Sequence, residues 1–356
     1  MFKRLYTITL IVLFLVTARV SAAEKVLLDS DMVDLFDDGV AMMMLVQSPE
    51  VELLGITTMT GNNWVPACTA SAIRQLEGLG VKDIPVIEGK TPARITKRLL
   101  NIDSENKYFG RNYNTDYHGA GSFPKPADWH SAYVDNYGEE STLTPLKDNA
   151  VDFMIRTIKE NPHEVTIAEI GPCTNLAAAL KKAPEIASLV KKVIYMGGAF
   201  YTDAVEFPAA EFNIWIDPEA AKASMRADFP EQIIIPQDVC NKVHITKEEF
   251  MDLRSRIKSP LFLSMMNNHY LLGYFESGSA ATFIWDVLVA TVILDPSIIT
   301  EEVTLPVDVN DTYSLSYGQT LAYKGYGPEG SRKARIIFNV DEDKVHQMMR
   351  QVFDKL

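Results

Sequence analysis

Five carboxylates fall within ten residues in Asp29-Ser30-Asp31-Met32-Val33-Asp34-Leu35-Phe36-Asp37-Asp38. The segment directly follows Val26-Leu27-Leu28, an apolar run that reads as a short buried strand. Carboxylates at that density repel one another when all are ionised and unpaired. A hard cation relieves the repulsion, and clustered carboxylate oxygens suit Ca²⁺ or Mg²⁺. At the carboxyl end of a strand in an open α/β sheet, the cluster also lies where ligands bind. The same residues fit a solvated loop that caps the following helix, because Asp is favourable at a helix start. Spacing alone leaves both readings open.

The elements that must position this cluster alternate along the chain. Val40 to Val46 reads as a helix, Leu53 to Met59 as a β-branched strand, and Ala67 to Leu79 as a second helix. Val165 to Ile170, Leu176 to Lys182, Val193 to Met196 and Ile233 to Ile235 continue the strand and helix rhythm. This pattern predicts an α/β fold of Rossmann type: a mostly parallel central sheet with helices on both faces. No repeat or low-complexity linker divides the chain, so residues 24–356 are expected to form one domain. The stretch 101–142 breaks the rhythm, with little periodicity and eight aromatics. It is expected to be an ordered lid, with a loop packed on the surface as the alternative.

The balance of 34 Lys and Arg against 47 Asp and Glu gives a net charge of −13, which argues against nucleic acid as a partner. Cys68, Cys173 and Cys240 are far apart and form neither a disulfide framework nor a zinc pattern. Lys3 and Arg4, the apolar run Ile8 to Val16 and the small residues Ser21-Ala22-Ala23 read as a secretory signal peptide over residues 1–23. A retained anchor is the alternative, but the run is far short of the ~20 residues that span a bilayer. Cleavage would remove Lys3, Arg4 and Arg19 and take the charge to −13 − 3 = −16. The expectation is an exported acidic protein, periplasmic or secreted, with no stable membrane insertion.

Three sharper patterns can be set against the cluster. An EF-hand loop starting at Asp29 wants Gly at its sixth position and Glu at its twelfth, where the chain has Asp34 and Val40. Asp29-Ser30-Asp31-Met32-Val33 resembles the haloacid-dehalogenase phosphatase motif, with Asp29 as nucleophile and Asp31 as acid/base. That chemistry needs a second acidic pair for Mg²⁺, and no Gly-Asp and no other Asp-Asp occurs. The third likeness runs along the chain. The cluster resembles the DxDPGxDD opening of the inosine-uridine-type nucleoside hydrolases, with a loop two residues longer. Ile56 to Asn62, His118-Gly119-Ala120-Gly121, Ile170 to Ala177 and Met196-Gly197-Gly198 resemble further motifs of that family, in order. Glu211 to Ala221 is similar to its EFNxxxDPEAA signature, and Trp285-Asp286 stands where it usually has His-Asp.

The resemblance implies a Ca²⁺-dependent hydrolase of the N-glycosidic bond of ribonucleosides, releasing ribose and free base. Asp31, Asp38, Asp286 and the carbonyl of Ile170 would be the metal ligands, an all-oxygen set. Asp31 would also be the catalytic base that takes a proton from the attacking water. Asp37, Asn62, Glu211 and Asn213 would hold the sugar hydroxyls, with Met196 beneath the ring. A homo-oligomer is implied as well. Trp285 cannot donate a proton as the usual His would. Activation of the leaving base then falls to solvent, to another group such as His118, or to stacking on Trp285 and nearby Trp64; both tryptophans are equally compatible with ordinary core or rim packing. Val205 stands where the family often has an Asn at the sugar's 5′ end. A modified or larger N-riboside is therefore an alternative substrate, and an exported riboside-binding protein without turnover an alternative role.

Overall fold

The computed structural model describes residues 22–92, 119–202 and 209–356. His118, Val205, most of the expected leader and four of the eight lid aromatics lie outside them. The strands in chain order are β1 (Glu24–Ser30), β2 (Val51–Thr58), β3 (Val86–Glu88), β4 (Val165–Glu169), β5 (Lys192–Met196), β6 (Gln232–Ile235), β7 (His244–Thr246), β8 (Ala281–Phe283), β9 (Ile299–Val309), β10 (Thr320–Ala322) and β11 (Arg332–Val340). Nine of them form one sheet in the order β10-β9-β11-β6-β5-β4-β1-β2-β3. From β3 to β11 the neighbours are parallel, and β9 and β10 add an antiparallel edge. β7 and β8 make a separate antiparallel pair.

Both faces of the sheet are covered, as the continuous apolar strands require. In β1, Val26 and Leu28 enter one apolar cluster while Leu27 enters the other. The first cluster is completed by α1 (Asp38–Gln47), α2 (Val65–Leu79), α12 (Val287–Leu294) and α13 (Glu342–Phe353). The second takes α4 (Ala150–Glu160), α5 (Thr174–Lys182) and α7 (Pro218–Met225). The expected α/β architecture is observed. Successive strands turn one way from β1 to β2 and β3, and the other way to β4, β5 and β6. The sheet's switch point is therefore at β1, and a ligand crevice opens outside its carboxyl end.

Within the stretch 101–142, where the sequence shows little periodicity, Trp129–Tyr137 forms a helix, α3. A capping box links Asp128 and Ser131, and left-handed Gly138 ends the helix at φ 70°. These end signals replace the missing apolar period. The helix packs on α2: Tyr133 is fully buried and bonds Glu77. The remaining helices, α6 (Phe212–Ile216), α8 (Gln237–Cys240), α9 (Lys247–Arg256), α10 (Pro260–Asn267) and α11 (Tyr270–Glu276), lie among the sheet's carboxyl-end connections or beside β7 and β8. No helix among the described residues is long and apolar enough to cross a membrane.

Candidate active site

β1 delivers Asp29, Ser30 and Asp31 to the crevice in fully buried positions. Asp31 Oδ2 accepts the backbone N–H of Asn62 at 2.6 Å, while its Oδ1 is buried with no hydrogen-bond partner. Glycines wall this carboxylate. A Cβ at Gly61 would lie 2.1 Å from Oδ2, and one at Gly171 would lie 2.8 Å from Oδ1. Asp38 opens α1 with Oδ1 bonded by the Ser30 hydroxyl at 2.5 Å and Oδ2 by the Asn62 amide at 3.2 Å. Asp37 takes the N-cap position but makes no cap bond. Its Oδ1 instead accepts the backbone N–H groups of Trp285 and Asp286 at 3.0 and 2.8 Å. Helix capping thus does not account for Asp37.

The loop between Asp31 and Asp38 carries unusual backbone. Leu35 has φ 51° and Asp37 φ 101°, values that cost non-glycine residues about 1–3 kcal/mol each. Gln75 of α2 holds this loop by both ends of its amide: Leu35 N–H donates to Oε1 at 2.9 Å, and Nε2 donates to the Val33 carbonyl at 3.1 Å. The Oε1 atom fills the space a Cβ on Gly39 would need, 2.1 Å away. Asp34 is tied down by the hydroxyls of Ser71 and Tyr137. Sequence reasoning missed Gln75, whose polar side chain interrupts the apolar face of α2.

Burial governs the electrostatics. It pushes Asp31 up to about 7, against the Asn62 N–H that lowers it, with Asp37 and Glu211 adding to the rise. Burial likewise takes Asp37 to about 6. Asp38 and Asp286 are raised well above the usual range, first by burial and then by their acidic neighbours. Behind the cluster, Asp29 pairs with Glu169 across the β1–β4 register. Burial lifts Asp29 to about 6 and raises Glu169 well above the usual carboxylate range, with the neighbouring Asp29 adding to the rise. Thr57 and Asn175 also bond Asp29, at 2.5 and 2.8 Å. An acid inside the apolar strand Val165 to Ile170 was the available signal for this pair.

Asp37, Asn62, Ile170 and Met196 line one cavity of about 1030 Å³ together with Glu211, Asn213, Trp285 and Asp286. Asp31 and Asp38 lie just behind its floor, since neither reaches the surface. Glu211 caps α6, accepting N–H groups from Asn213 and Ile214 at 3.0 and 3.3 Å and from Gly198 at 3.0 Å. Its carboxylate thus shapes the floor as well as facing the cavity. Asn213 Nδ2 reaches the carbonyls of Ile170 and Met196, both at 3.2 Å. Trp64 is not brought in: its indole N–H donates to the Phe123 carbonyl at 3.0 Å, and it packs on the small Ala210, Trp215 and Ile216 cluster. His269 lines the cavity, but its Nδ1 accepts the Leu271 N–H at 3.3 Å and burial lowers it to about 4.

Among the described residues, no three carboxylate, imidazole or thiolate groups form a ready metal cage. The donor chemistry fits a hard cation nonetheless. Asp31 presents an unpartnered buried oxygen, and the charges acting on Asp31, Asp38 and Asp286 are one another, Asp37 and Glu211.

The model of the inosine-uridine preferring nucleoside hydrolases matches residues 26–347. The chain belongs to the nucleoside hydrolase family. These enzymes act on N-glycosyl bonds. Among its relatives, a probable uridine nucleosidase of Oryza sativa is 30% identical over 280 residues, covering 78% of each chain. An uncharacterised protein of Schizosaccharomyces pombe is 36% identical over 226 residues, and the match spans 62% of this chain and 63% of that one. A solved plant nucleoside hydrolase superposes with a TM-score of 0.74 at 26% identity, covering 93% of this chain and 99% of its own. The family match takes in both the acidic cluster and Asp286, the two parts of this nucleoside hydrolase that β1 and α12 bring together.

Proposed function

We propose that this nucleoside hydrolase is a Ca²⁺-dependent ribonucleoside hydrolase that releases ribose and free base. The observation that carries the reading is Asp31: buried at the switch point, fixed through Oδ2, unpartnered at Oδ1 and raised to about 7. A carboxylate so held, with one oxygen free, is placed to take a proton from a water beside it. Asp31, Asp38, Asp286 and the Ile170 carbonyl would hold the cation, which when bound supplies Lewis acidity to water and sugar hydroxyls. Asp37, Asn62, Asn213 and Glu211 surround the ribose, and Met196 lies beneath it. The acidic wall stabilises the positive charge that builds on the sugar ring as the bond to the base breaks. Trp285 offers the base a stacking surface in place of an acid.

The mature enzyme is read as exported, starting near residue 24, and as a homo-oligomer, in keeping with its leader-like start and family resemblance. The test is a reducing-sugar assay on purine and pyrimidine nucleosides, with and without a calcium chelator. Ribose release that chelation abolishes and Ca²⁺ restores is expected. Asp31→Asn is expected to lower kcat about 10²- to 10⁴-fold, as loss of a general base does. Undiminished turnover in that variant would assign the base elsewhere.

A further inference from the structure

The cavity is much longer than the sugar site needs. At about 1030 Å³ it reaches the top of the ~300–1,000 Å³ range of pockets that enclose drug-sized ligands. It reaches from Asn62, just before α2, to Arg74, the tenth residue of that helix. At ~1.5 Å per residue this is about 13 Å of helix. Leu261 of α10 closes the far end against α2, where a Cβ on Gly78 would lie 3.1 Å from its Cδ2.

Three sides bound this distal chamber. Arg74 of α2 with Asn136 and Tyr137 of α3 forms one wall, and Leu261, Ser264 and Met265 of α10 with Leu271 of α11 form another. The base of the chamber is the lengthened acidic loop, through Val33, Asp34 and Phe36. The charges along the chamber are already satisfied within the protein. Asp34 accepts from Ser71 and Tyr137, while Arg74 pairs with Glu139 and donates to the Tyr133 hydroxyl. Breaking those pairs to bind an ionic ligand would strand buried partners. Beside these paired groups and the amides of Asn136 and Asn268, the chamber offers a ligand apolar surface from Leu, Met and aromatic side chains, beginning at Trp285 and Phe283 where a base would stack.

We propose that the chamber between α2 and α10–α11 is a second substrate subsite, selecting ribonucleosides whose base carries a bulky apolar substituent. The inference rests on the ribonucleoside reading above and adds the identity of the preferred substrate class. The decisive experiment compares steady-state ribose release from adenosine and N6-cyclohexyladenosine by the full-length enzyme with Ca²⁺. The substituted riboside is expected to have at least a tenfold higher kcat/KM, carried by KM. Filling the chamber with Leu261→Trp is expected to bring that ratio close to one. A readout that needs no variant is inhibition by the free bases, where N6-cyclohexyladenine is expected to bind at least tenfold more tightly than adenine. Adenosine turned over as well as or better than its cyclohexyl derivative, with equal inhibition by the two bases, overturns the subsite while leaving the ribonucleoside reading intact. No ribose from either compound overturns that reading and this one together.

Discussion

The two ends of the cavity are built by different means. At the sugar end, each functional group leaves a sheet strand or the first turn of the element that follows it, and backbone N–H groups fix the carboxylates of Asp31 and Asp37. At the distal end, the walls are side chains of α2, α3, α10 and α11, and the charged groups of Asp34 and Arg74 are spent on partners within the protein. A rigid sheet edge suits chemistry, which tolerates little displacement; helix-borne apolar walls suit selection, which tolerates resurfacing. The difference teaches that one fold can hold its reaction constant while its substrate range is rewritten.

The comparison breaks if displacing Asp31 is harmless. Gly61→Ala puts a methyl against its Oδ2 and is expected to cost about 100-fold in kcat/KM, as a displacement near 1 Å does. Calorimetry should find weakened Ca²⁺ binding in the same variant. At the helical end, the largest expected effect is on stability. His269 is lowered from 6.5 to about 4 by burial. A folded-state pKa depressed in this way gives stability that is present above pH 6.5 and lost as pH falls towards 4. The loss amounts to up to roughly 3 kcal/mol. Acid unfolding of His269→Asn, followed by circular dichroism, should lack that step.

The carboxylates run the other way. Asp29 and Asp31 are raised from 3.8 to about 6 and about 7, so their contribution is complete below pH 3.8 and lost as pH rises through 6 to 7. Added Ca²⁺ is expected to recover it, raising Tm by roughly 5 °C at a hundredfold excess over Kd and by more at pH 8 than at pH 5. Equal shifts at both pH values would detach the cation from these acids. The smallest effect sharpens the boundary between the two ends: Trp285→Ala is expected to raise KM for nucleosides about tenfold, the scale of one base–aromatic stack, with kcat nearly unaltered. A fall in kcat instead would make Trp285 part of the chemistry.

The sugar end was legible because its groups lie in short contiguous motifs at strand ends, where spacing and position coincide. Asp31, Asp37, Asp38 and Asp286 could be placed together from such motifs, and the strand rhythm predicted the sheet that joins them. The distal end could not be read. Leu261, Met265 and Leu271 look like any apolar helix face until α2 stands opposite. α3 was missed because its evidence is at its caps, Asp128 and Gly138, rather than in an apolar period. Of the two readings open for Trp64, rim packing is the one observed: proximity in sequence to Asn62 does not carry its ring into the cavity. Glu169 and Gln75 were in view as polar residues in apolar company, and only their partners give them meaning.

The clamp by Gln75 has a consequence for descent. Its amide serves the Leu35 N–H and the Val33 carbonyl, and the space it occupies requires Gly39. Loop conformation, residue 75 and residue 39 therefore constrain one another: a chain that keeps this loop conformation is held to Gln and Gly together.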